Sequence, residues 1–285
     1  MSDWNDLQIR VHGDADRPTL IYLPGPHGDW TLVSSFRVAL SDRVRFVEFT
    51  YPRTLTWTLE DHAGAVLDKL AAHGIREGWI LAESFSSVVA WAVLERAAAP
   101  GFTLRGVVLS GGFARYPYPL IVRVTRALNR AIPLWLIKVL CWIYGRYAML
   151  RHRQAPETLE SIAEFVRGRC EEADRQAICH RYDVILQSDP RQLVKNAAVP
   201  VYQICGFVDP VVPWLPVRRW LRRHCQNYKG WRLIWRADHN VLGTAPCAAA
   251  EQVVSWMYSR CCPPAAAGHS AIGVSADFNV RAARG

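Results

Sequence analysis

The sequence predicts an α/β protein with a mostly parallel central sheet and helices on both faces. Short apolar runs alternate with longer segments that have helical spacing, which is typical of parallel strands joined by crossover helices. The chain is 51% hydrophobic and 21% charged, as in globular and not disordered proteins. Its 285 residues are enough to bury one large core, so we expect one main domain with a sizeable insertion.

Six short runs rich in apolar residues are predicted to form the strands of this sheet. They occupy residues 19–23, 44–50, 79–82, 104–110, 199–206 and 231–237. Four segments with apolar residues at helical spacing are predicted to be helices, at 59–74, 86–98, 215–227 and 246–259. The first of these has Lys69 near its end and closes on Gly74, a residue type that commonly follows the last turn of a helix.

The interval 113–197 interrupts this alternation, because its pattern is mostly helical. We therefore predict an α/β core formed by residues 1–112 and 198–262, with a helical cap at 113–197 inserted before the last strands. The end of the chain, 263–285, is rich in small residues and of low complexity. We predict that this tail is disordered.

Much of the formal net charge of +9 lies in the first half of the predicted cap. Between Ala114 and Arg153 the chain has no Asp or Glu. The same segment has eight basic side chains: Arg115, Arg123, Arg126, Arg130, Lys138, Arg146, Arg151 and Arg153. Such a segment either meets something anionic or is simply well solvated.

The cysteine pattern indicates a reducing compartment. The eight cysteines are scattered without a CxxC pair, which favours free thiols in a cytoplasmic protein over a disulfide framework. Cys170, Cys179 and His180 lack a second spaced pair, so no metal site is predicted. We find no signal-peptide pattern near the N-terminus and no long uncharged apolar run, so neither secretion nor a membrane span is predicted.

The stretch WILAESFSSVVAW, residues 79–91, begins as a strand and ends as a helix. A turn this sharp forces its corner residue, Ser84, toward a positive φ, which costs roughly 1–3 kcal/mol. Ala82 and Ser86 approach each other across the turn, so both must be small. The turn projects the Ser84 hydroxyl at the carboxyl edge of the sheet, as a nucleophile requires. A serine that caps the helix explains the same residues.

A serine nucleophile needs a general base, and the base needs an acid that orients it. Asp209 and His239 each follow a predicted strand, so both are expected at the sheet edge where Ser84 emerges. Taken singly, Asp209 is also explained as a turn residue before Pro210, and His239 as a capping or exposed histidine. Three chemically matched groups at one edge favour the catalytic interpretation.

Two neighbouring carboxylates are given no catalytic role. Glu83, at the strand end, is expected to be paired within the fold. Asp238 is adjacent to His239, but strand alternation would direct it to the opposite side, and Asp209 has the more suitable loop.

These segments resemble the α/β-hydrolase-fold serine hydrolases over residues 7–259. Ala-Glu-Ser-Phe-Ser at 82–86 resembles the G-x-S-x-G nucleophile elbow of that family. GFVDPVVP (206–213) resembles its acid-bearing loop and DHNVL (238–242) its histidine loop, and the order Ser, Asp, His also matches. Ala and Ser replace both glycines of the motif, and both are small enough for the turn.

LPGPHGDW (23–30) follows the first predicted strand, where the resembling family places its oxyanion loop. The resemblance implies one donor in the backbone N–H of Phe85 and a second in this loop. The usual donor position holds Pro26, which has no N–H. Either the donor moves to His27 or Gly28, or the oxyanion hole is weaker; we predict the backbone N–H of His27.

In the resembling fold, an insertion at this point covers the active site and shapes the substrate pocket. Residues 118–150 are largely apolar, with Arg123, Arg126 and Arg130 at helical spacing. Three interpretations remain open. The segment is a cap over an apolar pocket with a solvated basic face, a basic Trp-bearing helix on an anionic membrane, or a site for an anionic substrate such as a phosphorylated or CoA-linked acyl group.

The predicted function is cleavage of carboxylic esters with a hydrophobic acyl or alcohol part, through an acyl-enzyme on Ser84. His239 is the predicted general base and Asp209 its orienting acid, and this chemistry needs neither a metal nor an organic cofactor. We expect a small-molecule ester as partner, no nucleic acid, and peripheral membrane contact through the basic cap as an alternative. Competing functions are an acyl thioesterase, or a non-catalytic hydrolase-fold protein that binds a ligand or a membrane.

Overall fold

The computed structural model describes residues 6–40, 42–97, 101–151 and 157–259. Its strands are β1 (Gln8–His12), β2 (Thr19–Leu23), β3 (Arg45–Thr50), β4 (Glu77–Glu83), β5 (Thr103–Ser110), β6 (Val201–Gly206) and β7 (Tyr228–Ile234). Its α-helices are α1 (Ser34–Leu40), α2 (Leu59–Ala72), α3 (Ser86–Arg96), α4 (Pro119–Ala131), α5 (Leu134–Arg151), α6 (Glu157–Arg169), α7 (Glu172–Gln187), α8 (Arg191–Lys195), α9 (Trp214–His224), α10 (Val241–Thr244) and α11 (Pro246–Tyr258). A short 3-10 turn, Thr31–Val33, precedes α1.

The described strands form one sheet of seven strands in the order β1-β3-β2-β4-β5-β6-β7. β1 runs antiparallel to β3, and each remaining neighbouring pair is parallel. Parallel neighbours need crossover connections, and helices supply them. The predicted α/β class with a mostly parallel sheet is confirmed, and each of the six predicted strands is present.

Several short elements escape the hydrophobic pattern. β1 is an edge strand whose residues are all half-buried or exposed, so it carries no buried face to detect. α1 and α10 are too short to show a helical period. β7 ends at Ile234 and not at 237, because its pairing with β6 runs out there and the chain turns back, with the N–H of Ala237 bonded to Ile234 O.

Side-chain alternation divides the core into two layers, one on each face of the sheet. On one face Ile21 of β2 packs in the same cluster as Trp91 of α3, with α2 alongside. On the other face Leu20 packs in the same cluster as Trp256 of α11, with α1 alongside. Each of these side chains is buried, and full burial of a large apolar side chain contributes about 1.5–3 kcal/mol.

The described helices α4 to α8 lie between β5 and β6 along the chain, within the interval predicted as a cap. α4 packs against α7, and α5 packs against α6. α6 also contacts the 3-10 turn that follows the loop after β2. The division of the chain into core and cap stays a prediction, and the predicted tail at 263–285 lies outside the described residues.

Candidate active site

β4 passes directly into α3, and Ser84 occupies the corner. Its φ is 48°, a left-handed value that costs an L-residue roughly 1–2 kcal/mol. The N–H of Ser84 donates to Ser110 O at 3.0 Å, and the Ser87 hydroxyl donates to Ser84 O at 2.6 Å. These bonds hold the backbone on both sides of the corner, so the positive φ predicted for this residue persists.

The side chain of Ser84 does not cap α3. Phe85 is in the capping position, where no side-chain bond is made. Among the described residues, none accepts a hydrogen bond from the Ser84 hydroxyl or donates one to it, and the residue is 5% exposed. The capping explanation for this serine is therefore wrong, and its hydroxyl is left unused by the fold.

Asp209 and His239 are joined by a hydrogen bond. Nδ1 of His239 lies 2.8 Å from Oδ2 of Asp209, and the Asp209 side chain is fully buried. Its other oxygen, Oδ1, accepts the backbone N–H groups of Val211 at 2.8 Å and Val212 at 2.9 Å. Asp209 is thus both a turn residue and the hydrogen-bond partner of His239.

His239 and Ser84 both lie beside the carboxyl end of β5. A methyl group added at Gly111, which follows β5, would lie 3.0 Å from two atoms of the His239 ring. The N–H of Ser84 donates to the backbone oxygen of Ser110, the residue before Gly111. No hydrogen bond joins Ser84 to His239 among the described contacts; in unliganded sites such bonds often form only when substrate binds. Ser84, Asp209 and His239 all lie at the carboxyl end of the sheet.

The surroundings of His239 favour its protonated form. Burial, the largest single effect, lowers the pKa of His239, but the hydrogen bond and charge of Asp209, with the charges of Glu83 and Asp238, outweigh it. The pKa of His239 therefore lies above its usual value. A carboxylate that raises this pKa stabilises the imidazolium formed when the ring accepts a proton.

The other two carboxylates near the site have structural partners. Glu83 is buried and accepts a hydrogen bond from the Tyr22 hydroxyl. Asp238 accepts the Asn240 N–H at 2.9 Å and the hydroxyl of Tyr144 of α5 at 3.0 Å. Asp238 therefore bonds to these groups and not to the His239 ring, and strand alternation plays no part, because β7 ends before it.

His27 and Gly28, the two donor positions considered in the loop after β2, differ in whether their backbone N–H is already used. The N–H of Gly28 donates to Gly25 O at 2.9 Å, so it serves the turn itself. The N–H groups of His27 and Phe85 have no acceptor among the described residues. The His27 ring is fixed separately, with Nε2 2.9 Å from Asp29 O. The pKa of the His27 ring is lowered, chiefly by burial, so the ring is neutral near pH 7.

Several solved structures with the same architecture are named as lactonases, esterases or hydrolases. The enol-lactonase from Burkholderia xenovorans LB400 is similar, with a TM-score of 0.69 and 18% identity over 88% of this chain and 96% of that chain. A thermophilic esterase from Thermogutta terrifontis has a TM-score of 0.67 and 17% identity over 89% and 93%. The α/β-hydrolase enzyme MGS-M2, from a Medee basin deep-sea metagenome, has a TM-score of 0.68 and 13% identity over 89% and 94%.

The chain has the α/β-hydrolase fold. No protein-family model matches the sequence, and no curated protein matches it. The likeness is therefore one of structure, and the site of this α/β-hydrolase-fold protein has to be understood from its own residues.

Two buried arginines of the inserted helices hold the loop after β2. Arg181 of α7 donates to the carbonyl oxygens of Pro26 and Pro52, both at 2.8 Å. Arg169 of α6 donates to Gly28 O at 3.2 Å, and both arginines are 2% exposed. Burial is the largest cause that lowers the pKa of Arg181, to about 10. Sequence reasoning missed both, because nothing in a helical pattern marks an arginine as buried.

Ser86, where the α/β-hydrolase elbow usually has a glycine, ties the elbow to the same loop. Its hydroxyl donates to Pro24 O, and the Tyr51 hydroxyl lies 2.7 Å from its oxygen. The departure from glycine therefore adds a fixed contact between the start of α3 and the loop. The pattern of small residues identified the position, but the bond depends on the tertiary structure.

The described part of the chain contains no group of three His, Cys, Asp or Glu side chains arranged to hold a metal ion. Cys179 and His180 point to backbone oxygens, with the His180 ring 2.9 Å from Trp57 O.

Proposed function

We propose that this protein is a serine hydrolase that cleaves carboxylic esters with a hydrophobic acyl or alcohol part. The observation that carries the proposal is the hydrogen bond between His239 and the fully buried carboxylate of Asp209, at the sheet end where Ser84 forms the strained corner. The names of the similar structures, an enol-lactonase and esterases, support ester chemistry on this fold.

The reaction begins when the Ser84 oxygen attacks the ester carbonyl and Nε2 of His239 accepts the hydroxyl proton. Nδ1–H stays bonded to Asp209, which keeps the ring in the required tautomer and stabilises the imidazolium. The imidazolium then gives its proton to the departing alcohol, which leaves an acyl group on Ser84. Water, deprotonated by the same ring, attacks the acyl-enzyme and releases the acid.

The developing oxyanion needs two N–H donors. We propose the backbone N–H groups of Phe85 and His27, because neither has an acceptor among the described residues. Gly28 is less suitable, since its N–H already serves the turn. Loss of one donor from such a site costs about 3–4 kcal/mol in the barrier.

Labelling with a fluorophosphonate probe tests the serine. We expect the wild type to be labelled and Ser84→Ala to be unlabelled and inactive, while Ser34→Ala, a serine on α1, behaves as the wild type. A wild type that neither reacts with the probe nor hydrolyses any ester would contradict the proposal and favour a non-catalytic binding protein.

Turnover of p-nitrophenyl esters graded in chain length, measured beside acyl-CoA substrates, tests the substrate class. We expect kcat/KM to rise about fourfold for each methylene that the site buries, since each contributes about 0.8 kcal/mol. Faster turnover of acyl-CoA than of every ester would instead identify an acyl thioesterase.

A further inference from the structure

α4 presents an apolar face to solvent. Leu120, Val124 and Leu128 recur at i, i+4 and i+8, so they share one side of the helix, and all three are exposed. The inward side holds buried Val122 and Arg126, which forms an ion pair with α7 at 2.8 Å. The apolar face of α4 is thus turned to solvent, whereas a surface helix in a globular protein normally turns its apolar face toward the core.

α5, the next helix along the chain, also exposes apolar side chains. Trp135, Val139 and Trp142 recur at i, i+4 and i+7, and the two tryptophans are 66% and 61% exposed. On the other side of the helix, Tyr144 bonds to Asp238, the neighbour of the histidine of the candidate site. Large apolar side chains exposed in groups on two successive helices are unusual on a protein that has no partner.

The charges that accompany the apolar face are all positive. Arg123, Arg130 and Lys138 are exposed, and in the described part of the chain none of them forms an ion pair. The guanidinium of Arg146 lies 5.1 Å from the centre of the Trp142 ring. A second copy of the same face would bring these cations against each other, whereas an anionic surface would neutralise them.

We propose that this outer face of α4 and α5, defined by Leu120, Leu128, Trp135 and Trp142, docks on an anionic phospholipid membrane. Aromatic and aliphatic side chains would enter the boundary between headgroups and acyl chains, and the cations would meet the lipid phosphates. No single described helix is long and apolar enough to cross a bilayer. α4 and Leu134–Tyr147 of α5 reach the required length and apolar character only when taken together, and the pair is bent by 115°.

α5 is tied to the end of the sheet where the candidate site lies, because Tyr144 bonds to Asp238. Phe207, Val208 and Val211 flank Asp209 on its loop and are exposed. Docking would therefore bring the loop of Asp209 close to the lipid. The membrane contact itself does not depend on hydrolysis, because none of the docking side chains takes part in the chemistry proposed for Ser84.

Co-sedimentation of the full chain with lipid vesicles tests this inference. We expect binding to vesicles of phosphatidylcholine with phosphatidylserine, and weak binding to phosphatidylcholine alone. Trp135→Ser with Trp142→Ser should lower the binding constant at least tenfold. Arg123→Glu with Arg130→Glu should lower it about fivefold for each cation lost, and high salt should act in the same direction.

The matched control is Arg222→Glu with Arg223→Glu, the same charge change at two exposed positions of α9, which should bind nearly as the wild type does. Ser84→Ala should also bind as the wild type, whether or not the protein is a hydrolase. The replaced tryptophans and arginines are exposed, so thermal unfolding of these variants should change little. Equal binding by the tryptophan variant would overturn the proposal. So would a dimer that forms without vesicles and is dispersed by the same substitutions.

Discussion

His239 Nδ1 lies 2.8 Å from Asp209 Oδ2, although 30 residues separate them along the chain. β6 and β7 are adjacent parallel strands, and each of these residues lies in the loop that follows its strand. Gly206 allows the two loops to approach, because a methyl group there would lie 2.1 Å from Asp238 O. Strand pairing, and no local sequence feature, brings the two side chains together.

Replacement of Asp209 by Asn should lower kcat by a factor on the order of 10³–10⁴, because the ring loses the partner that fixes its tautomer. The acid limb of the pH profile should move as well. Asp209 raises the pKa of His239, and the neutral ring is the active base, so wild-type kcat/KM rises with pH through this raised pKa.

In Asp209→Asn, burial still lowers the pKa of His239, but the carboxylate of Asp209 no longer raises it. The pKa of His239 should therefore fall, and the acid limb should shift to lower pH. The measurement is kcat/KM from pH 4.5 to 9 with an activated ester. If the acid limb of the variant lies at the same pH as that of the wild type, Asp209 does not act on the His239 ring.

Arg181→Lys should slow turnover with little change in KM, because a lysine cannot bond the carbonyls of Pro26 and Pro52 together. The loop that offers the N–H of His27 would then lose its fixed position. We expect kcat to fall at least tenfold, and the phosphonylation rate to fall in parallel. The control is Arg175→Lys on the same helix.

Arg175 also donates to two carbonyl oxygens, Arg130 O and Ile132 O, but these lie at the end of α4 and just after it, and not in the loop after β2. The Arg175→Lys variant should therefore lose some stability and keep its activity. Equal losses of kcat in both variants would indicate that the arginines only stabilise the fold.

Gly111→Ala should abolish most activity, whereas Gly74→Ala should not. Both glycines have a positive φ, 55° and 68°, so each substitution should cost roughly 1–2 kcal/mol of folding free energy. The added methyl at Gly74 meets open space, but at Gly111 it would press on the His239 ring. Thermal unfolding measured beside ester turnover separates the shared strain from the contact with the ring.

His62 is buried among aromatic rings without a partner for one nitrogen. Its Nδ1 lies 2.8 Å from Thr58 O, while the rings of Tyr51, Trp57 and Phe85 surround it at 5.1–5.6 Å. Nε2 has no hydrogen-bond partner within the described structure. Burial is the largest cause that lowers the pKa of His62, to about 4.

Stability should therefore fall in acid. Between pH 6.5 and 4 the unfolded chain binds a proton at His62 that the folded protein does not, so the free energy of unfolding should drop by about 3 kcal/mol on going from pH 7 to pH 4. Urea unfolding across this range should show the drop in wild type and a smaller one in His62→Gln. His73→Gln, at an exposed position just after the same helix, should keep the wild-type slope; a slope unchanged in His62→Gln would contradict the assignment.

The parts of the fold that sequence predicted well are those with strong local signals. β2, β4 and β5 are apolar runs with both faces buried, and the turn at Ser84 follows from a strand that meets a helix without a loop. The residues that sequence missed have no local signature. The buried Arg169 and Arg181, and Tyr144 above Asp238, lie on helices whose pattern does not reveal which side faces the core.

The sequence by itself determined the α/β class, the strained corner at Ser84 and the identity of the residues that follow each strand, because these depend on hydrophobic period and backbone sterics. Only the tertiary structure decided that Asp209, and not Asp238, bonds to His239, that His27 keeps an unused N–H, and that an apolar face of α4 and α5 remains outside. Each of these depends on how distant segments pack, and such packing leaves no trace in the spacing of neighbouring residues.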